Sequence, residues 1–315
     1  MTVIDLKNDF KKIKMPKVPL IIALGNFDGV HVGHMALISE CLAEKSRFAG
    51  AKTAVYTFER HPQSLAANSD FADLFDTSDK IARFASAGVD YVILEDFEDV
   101  CRMSPEDFVN EVLVGRCGCI MCICGFNFRF GHRASGDADL LSRLMMANSR
   151  FAKAVPPVMH GGKVVSSSLI RSYVENGDMQ SAAEILGRPF SIRFPVIYGN
   201  RVGHKIGIPT INQNFPDGAI IPKRGIYACT CFPEGQKEYL AVANVGVKPT
   251  VSSANHINCE THILDYNGFL YGKHIRVSFH ARLRDEMTFE SLDALKEAIA
   301  KDIEATRRFF ASATQ

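Results

Sequence analysis

The sequence predicts two domains of different class: a doubly wound α/β domain, then an all-β barrel closed by a C-terminal helix. Three observations carry this. Before Gly187, short apolar runs alternate with helical patterns. From Phe190 to His280 the segments are short, alternating, and punctuated by Gly, Pro and Asn. Leu292, Leu295, Ile299, Ile303 and Phe310 then return to helical spacing. At 315 residues there is room for two domains. The change of pattern near 183–189 sets them at 1–186 and 187–315.

In the first half, Pro19 to Leu24 reads as a strand, followed by a Gly-containing loop and a helix from about Met35 to Phe48. Gly50 breaks that helix. Thr53 to Phe58, rich in β-branched and aromatic residues, reads as the next strand. A helix near Lys80 to Ala87 stops at Gly88, and Tyr91 to Leu94 returns as a strand. Ser104-Pro105-Glu106-Asp107 combines a cap, a first-position proline and first-turn acids, so it starts another helix. Cys117 to Cys124 reads as a buried strand, and a helix follows around Asp137 to Ala147.

Composition bounds the function. Hydrophobic residues make up 47%, which excludes a disordered chain. Thirty-six Lys+Arg against 35 Asp+Glu leave a net charge of +1, so no general electrostatic drive toward nucleic acid or anionic membrane exists. The start, MTVIDLKNDFKKIKM, carries no apolar run of signal-peptide length, and Val18 to Leu24 is too short to span a bilayer. A cytoplasmic protein with neither nucleic-acid nor membrane partners is expected. Nine cysteines, an odd number, fit reduced thiols. The cluster Cys117, Cys119, Cys122 and Cys124 is either core or metal; its spacing and apolar setting favour core.

Gly25-Asn26-Phe27-Asp28-Gly29-Val30-His31-Val32-Gly33-His34 sits between a strand and a helix. A helix N-terminus presents unpaired N–H groups and partial positive charge, which suits phosphate. His31 and His34 can donate hydrogen bonds to a triphosphate and to charge developing in transfer, and Gly33 allows close backbone approach. A Gly-rich turn with two exposed histidines is the simpler reading. Asn26 and Asp28 either orient these groups or shape the turn. Ser166-Ser167-Ser168-Leu169-Ile170-Arg171 reads as a capped helix start whose early arginine is best placed against an anion. Phe126, Phe128 and Phe130 alternate, as either a core face or an aromatic platform.

In the second half, Gly199, Gly203 and Gly207 precede Pro209-Thr210-Ile211-Asn212. The glycines suit a flap over phosphates, and Thr210 and Asn212 share a face with oxygens suited to Mg²⁺; a polar hairpin is the alternative. Glu260, on one face of Asn258 to Asp265 with His262 and Leu264, is a candidate general base for a hydroxyl nucleophile.

These motifs resemble a known family. The loop GNFDGVHVGH and the segment VSSSLIR resemble the HxGH and ISSTxxR signatures of the nucleotidylyltransferase superfamily, with its Rossmann-like fold. Phe58-Glu59-Arg60-His61-Pro62, Gly88-Val89-Asp90 and Gly125-Phe126-Asn127-Phe128-Arg129-Phe130-Gly131 are similar to stretches of the adenylyltransferase half of bacterial bifunctional riboflavin kinase/FAD synthetases. Pro209 to Asn212, Asn244 to Thr250, Asn258 to Asp265 and Leu283 to Glu286 resemble the riboflavin kinase half. The resemblance runs from about Leu20 to Phe310. It implies that the N-terminal domain joins FMN to ATP and the C-terminal domain phosphorylates riboflavin, with ATP and Mg²⁺. It assigns Gly25, Asn26, Phe27, Asp28, His31, Gly33, His34, Ser167 and Arg171 to the first ATP site, and His61, Asn127 and Phe130 to the flavin. It assigns Gly199, Gly203, Gly207, Thr210 and Asn212 to the kinase's ATP and metal, and Glu260 to proton removal. Arg60 replaces a usual proline, Ile211 an alanine and His204 an arginine. An FAD synthetase with a weak or inactive kinase half is the alternative.

Overall fold

The computed structural model describes residues 1–6, 15–60, 62–65, 71–75, 77–199, 203, 206–233, 237–248 and 256–313. It divides into two compact units, Met1–Ser167 and Ser168–Gln315.

The first unit is built on strands β1 (Thr2–Asp5), β2 (Leu20–Leu24), β3 (Lys52–Phe58), β4 (Tyr91–Glu95), β5 (Cys119–Gly125) and, further along, β8 (Phe151–Val155). They form one parallel sheet in the order β1-β4-β3-β2-β5-β8. The helices between them include α1 (Val32–Glu44), α2 (Thr77–Ser86), the short α3 (Phe97–Val100) and α4 (Pro105–Asp107), and α5 (Ala138–Ala147). α4 runs on as a π-helical segment, Phe108–Arg116. Two hairpins of two-residue strands, β6 (Arg129–Phe130) with β7 (Gly136–Asp137) and β9 (Met159–His160) with β10 (Lys163–Val164), complete the unit.

Alternation along β2 explains its unbroken apolar sequence. Leu20, Ile22 and Leu24 enter one core layer, Ile21 and Ala23 the other, so both faces are covered, as a parallel sheet requires. Cys117, Cys119, Cys122 and Cys124 are all buried in or beside β5, and desolvation pushes the Cys117 thiol up to about 12. Chain order reverses between β2 and β5, the place where doubly wound sheets open a crevice beyond the strand ends.

The predicted strands appear where expected, and helix bounds shift by a few residues. α1 starts at Val32 because His31 caps it, and its last predicted turn is 3-10 (Lys45–Arg47). β1 was not foreseen; it pairs with β4 at the sheet edge. Asp90 ties β4 to β3. It accepts from Lys45 Nζ at 2.8 Å, and from Thr53 N and Oγ1 at 3.0 Å each. Burial alone would raise this carboxyl, but the Lys45 and Thr53 hydrogen bonds hold it well below the usual range. A depressed carboxylate contributes stability above its unfolded pKa and loses it as pH falls toward the folded value. Asp90→Ala is therefore expected to cost about 1–3 kcal/mol at neutral pH in urea unfolding. The gap to the parent should narrow below about pH 4.

The second unit opens with α6 (Ser167–Asn176), whose first residue belongs to the first unit, and α7 (Met179–Leu186). Gly187 ends α7 with φ +70, a left-handed conformation that glycine adopts without penalty. Strands β11 (Phe190–Pro195), β12 (Ile211–Asn214), β13 (Gly225–Phe232), β14 (Tyr239–Lys248), β15 (His256–Ile263) and β16 (His274–Arg284) follow. They pair antiparallel in the order β11-β16-β13-β14-β15-β12. The two end strands meet: Ile197, just past β11, bridges Asn212 in β12, and the Gln213 amide donates to Phe194 O and Ile275 O at 2.7 and 2.8 Å. The sheet is thus a barrel.

Helix α8 (Leu292–Ala313) lies against β13 and β14. Of the apolar stripe the sequence predicts, Leu295, Ile299, Ile303 and Phe310 are half-buried, with two departures. Leu292 is exposed, whereas Asp302 and Thr306 are buried. Asp302 takes a two-pronged ion pair from Arg284 at 2.8 and 2.7 Å, beside Ile303 in the apolar contact.

Candidate active sites

In the first unit, the loop after β2 and the start of α1 form one wall of a cavity of about 750 Å³. His31 is buried and caps α1, its Nδ1 accepting from His34 N at 3.2 Å. The two imidazoles stack with centroids 3.6 Å apart. A Cβ at Gly33 would lie 3.1 Å from the His31 ring, so glycine permits this packing. His34 Nδ1 is buried without a hydrogen-bond partner among the described residues. Burial, then the charges of His31 and Lys80, hold His34 well below the usual histidine range. It is therefore neutral near pH 7, a hydrogen-bonding group without a charge of its own.

The loop backbone is held in uncommon conformations. Phe27 (φ +52) and the β-branched Val30 (φ +39) both lie in the left-handed region, where strain persists only if surroundings enforce it. Here they do. Phe27 is fully buried against Phe84 and 5.1 Å from the His34 ring, and Gly25 lies under the Phe27 ring. Thr57 Oγ1 donates to Asn26 O at 3.0 Å, and Ser167 Oγ to Asp28 O at 2.9 Å. The Asp28 carboxylate accepts from Leu74 N at 3.2 Å. Ser167 is thus brought to the histidine loop. Arg171 lies one turn further along α6, in the second unit.

Much of the rest of the lining is aromatic: Tyr56, Phe58, Phe97, Phe108, Phe126, Phe128 and Phe130, with Asn127. The alternating phenylalanines differ in burial. Phe130 is buried, Phe128 stacks on it at 5.6 Å, and Phe126 is 47% exposed. Gly136 makes room for Phe130, since a Cβ there would sit 2.6 Å from its ring. His61 lies outside the described residues.

Two buried polar groups beside this cavity carried no sequence signal. Lys80, on α2, donates to Phe58 O at 3.0 Å; burial lowers its pKa, while Asp28, Asp73 and Glu59 oppose that. Glu95, 1% exposed, accepts from Tyr56 Oη at 2.8 Å and pairs with Arg116. Burial raises the Glu95 carboxyl despite both partners. Each comes from a separate element, so spacing along the chain could not reveal them.

In the second unit, register brings the other candidates into one row. Asn212 on β12 stands opposite Glu260 on β15, which stands opposite Asn244 on β14. Asn258 Nδ2 reaches Asn212 Oδ1 at 3.1 Å and Glu260 Oε1 at 3.5 Å. A Cβ at Gly199 would lie 2.5 Å from the Asn212 amide, and one at Gly203 would meet Ile208 O and approach Thr210 Oγ1. Gly199, Gly203, Thr210 and Asn212 are therefore neighbours. Gly207 takes φ +78 with open space around it. His262 Nδ1 lies 2.8 Å from Pro209 O, fixing the turn before Thr210. Ile211 alternates with Asn212 and is buried, so its bulk points away from that row. His204 lies outside the described residues. Two residues acquire positions that sequence left without a role. Asn244 Oδ1 is buried and has no hydrogen-bond partner among the described residues, and the Glu286 carboxylate lies over Gly246.

Among the described residues, no group of three or more His, Cys, Asp or Glu is placed to hold a metal, and no helix is long and apolar enough to cross a membrane. Thr210 and Asn212 offer hard oxygens of the kind Mg²⁺ takes alongside phosphate and water.

Two family models match the chain, one described as FAD synthetase over residues 14–169 and one as riboflavin kinase over residues 186–310. The bifunctional riboflavin kinase/FMN adenylyltransferase of Escherichia coli (strain K12) is 34% identical over 297 residues, 94% of each chain. That of Bacillus subtilis (strain 168) is 31% identical over 319 residues, 99% of each. A crystal structure from Streptococcus pneumoniae, described as a macrolide-efflux protein, superposes with a TM-score of 0.85 at 26% identity, over 98% of this chain and 99% of that one.

Proposed function

The chain belongs to the bifunctional riboflavin kinase/FMN adenylyltransferase family, and from that premise we propose how its residues divide the work. It carries both activities: ATP phosphorylates riboflavin to FMN, and a second ATP adenylylates FMN to FAD. Residues 1–186 perform the adenylyl transfer and 187–315 the phosphorylation, in the cytoplasm. The packing boundary at 167/168 differs from this division because α6 and α7 pack with the barrel. Lys223 N donates to Val174 O, and α7 lies on β11 and β16.

One observation carries the adenylyltransferase reading: the histidine loop and the aromatic cluster share a single cavity. A flavin ring suits the aromatic lining, with Asn127 and Phe130 beside it; the family resemblance assigns His61 to the flavin as well. The triphosphate suits the α1 N-terminus with Gly25, Asn26, Phe27, Asp28, Gly33, Ser167 and Arg171. An FMN phosphate oxygen attacks the ATP α-phosphorus in line, and pyrophosphate leaves. His31 and His34 donate to the phosphate oxygens as charge shifts toward the leaving group. His34, neutral, does so without attracting a counter-anion of its own.

In the kinase half, Glu260 removes the proton of the ribityl 5′-hydroxyl as that oxygen attacks the ATP γ-phosphorus, and ADP departs. Gly199, Gly203 and Gly207 let the backbone close on the phosphates. Thr210 and Asn212 would hold Mg²⁺, which when bound offsets phosphate charge. Ile211, buried on the strand face opposite Asn212, leaves the Asn212 oxygen unobstructed, which disfavours the single-activity alternative. Incubation with riboflavin and MgATP, with flavins separated over time, is expected to show FMN rising and then yielding to FAD. FAD formed only from added FMN would remove the kinase assignment.

A further inference from the structure

The adenylyltransferase cavity must hold two polyanions at once, ATP and a flavin phosphate monoester. Its lining supplies little compensating charge: His34 is neutral and Asp28 is an acid. Lys80, outside the lining, donates its amine to the Phe58 carbonyl. Among the described residues, Arg129 and Arg133 are the two Lys or Arg side chains that line the cavity.

These two arginines are not equivalent. Arg129 faces Asp137 at 3.8 Å across the β6–β7 hairpin, so part of its charge is already answered. Arg133 has no carboxylate partner or side-chain hydrogen bond among the described residues. It stands at the tip of the hairpin on a backbone that departs from ordinary turns. Arg133 (φ +52) and Ala134 (φ +56) are consecutive non-glycine residues in the left-handed region, following Gly131 at φ +73. The surroundings fix that shape: Gly131 packs against Pro105, His132 N donates to Met103 O at 2.7 Å, and Gly136 seats Phe130. A rigid, strained turn thus presents an unanswered guanidinium to a cavity that takes anions.

We propose that Arg133 is a phosphate ligand of the adenylyl-transfer reaction, its guanidinium pairing with a phosphate group of one of the two substrates. The inference rests on the adenylyltransferase reading and adds a specificity device to it. A fork of N–H donors matches a phosphate dianion, and neutral riboflavin, lacking one, gains nothing there. Where the flavin phosphate is the partner, the cavity in this way prefers the phosphorylated flavin although its aromatic wall sees the same ring in both.

The test compares Arg133→Ala, Arg133→Lys and the parent in FAD formation from FMN. Lumiflavin, which carries the ring without ribityl chain or phosphate, serves as a competitor. Arg133→Ala is expected to raise one substrate's KM about 10–100-fold, the size of a lost charge-assisted hydrogen bond, with a much smaller change in kcat. Arg133→Lys should recover part of this. A rise in the KM for FMN identifies the flavin phosphate as the ligand; a rise in the KM for ATP identifies the triphosphate. In either case the Ki of lumiflavin stays at the parent value, which reports an intact first unit, and FMN formation from riboflavin reports the same of the second. Unchanged KM values for both substrates, or a lumiflavin Ki that rises as much as the KM for FMN, would overturn the inference. A parent protein that makes no FAD from FMN would instead overturn the reading beneath it.

Discussion

His31→Asn should lower FAD formation from FMN by about 10²–10³-fold, the loss seen when one preorganised donor to a developing oxyanion is removed. FMN formation from riboflavin should stay close to the parent rate. Asparagine is the informative replacement because His31 has two jobs. Its Nδ1 caps α1 by accepting from His34 N, and its ring stacks on His34. Asparagine is a good N-cap, so the helix start survives while the donor on the far side of the ring is lost. Alanine would remove both and cost about 1 kcal/mol of helix stability in addition. Steady-state rates for the two half-reactions, each started from its own flavin, measure this. Equal loss of both activities in a folded variant would sink the assignment of His31 to one site.

Glu260→Gln should do the converse, slowing phosphorylation of riboflavin by about 10²–10⁴-fold, the usual contribution of a general base. Adenylylation of supplied FMN should be unaffected. Glutamine keeps the size of the side chain and an oxygen to accept from Asn258 Nδ2. It cannot take a proton at neutral pH, so kcat should fall far more than the KM for MgATP rises. A kinase rate within a few-fold of the parent would show that the hydroxyl loses its proton elsewhere.

The parts of this molecule that sequence disclosed are those written in one short stretch. The histidine loop follows β2 and caps α1 within ten residues, so its setting was legible as strand, loop and helix. β2 and β5 announced themselves by apolar runs, because a sheet covered on both faces needs no polar alternation. The barrel was legible only as a class. Nothing local says that β12 lies beside β15 or that Ile197 meets Asn212. The same limit hid Lys80 and the Tyr56–Glu95–Arg116 cluster, each made by elements far apart in the chain. Helix α8 was legible as an amphipathic helix, but not which polar residue shares its buried line. Its spacing promised an apolar seam, but Asp302 occupies the buried line and finds Arg284 there, so a charged residue in the stripe was a contact and not a defect. β1 was missed because four residues at a sheet edge, three of them exposed, scarcely constrain their sequence.

The seam of the barrel divides the duties of Asn212 between its two ends. Its carbonyl receives Ile197 N at 2.8 Å and so joins the sheet's margins, while its amide stands in the row with Asn258 and Glu260. At this position closure is written in the main chain, which every amino acid except proline shares in full. Recognition is written in the side chain alone. A strand built this way can exchange its side-chain chemistry without reopening the cylinder, so new nucleotide or acceptor preferences could arise at position 212 on an unaltered scaffold.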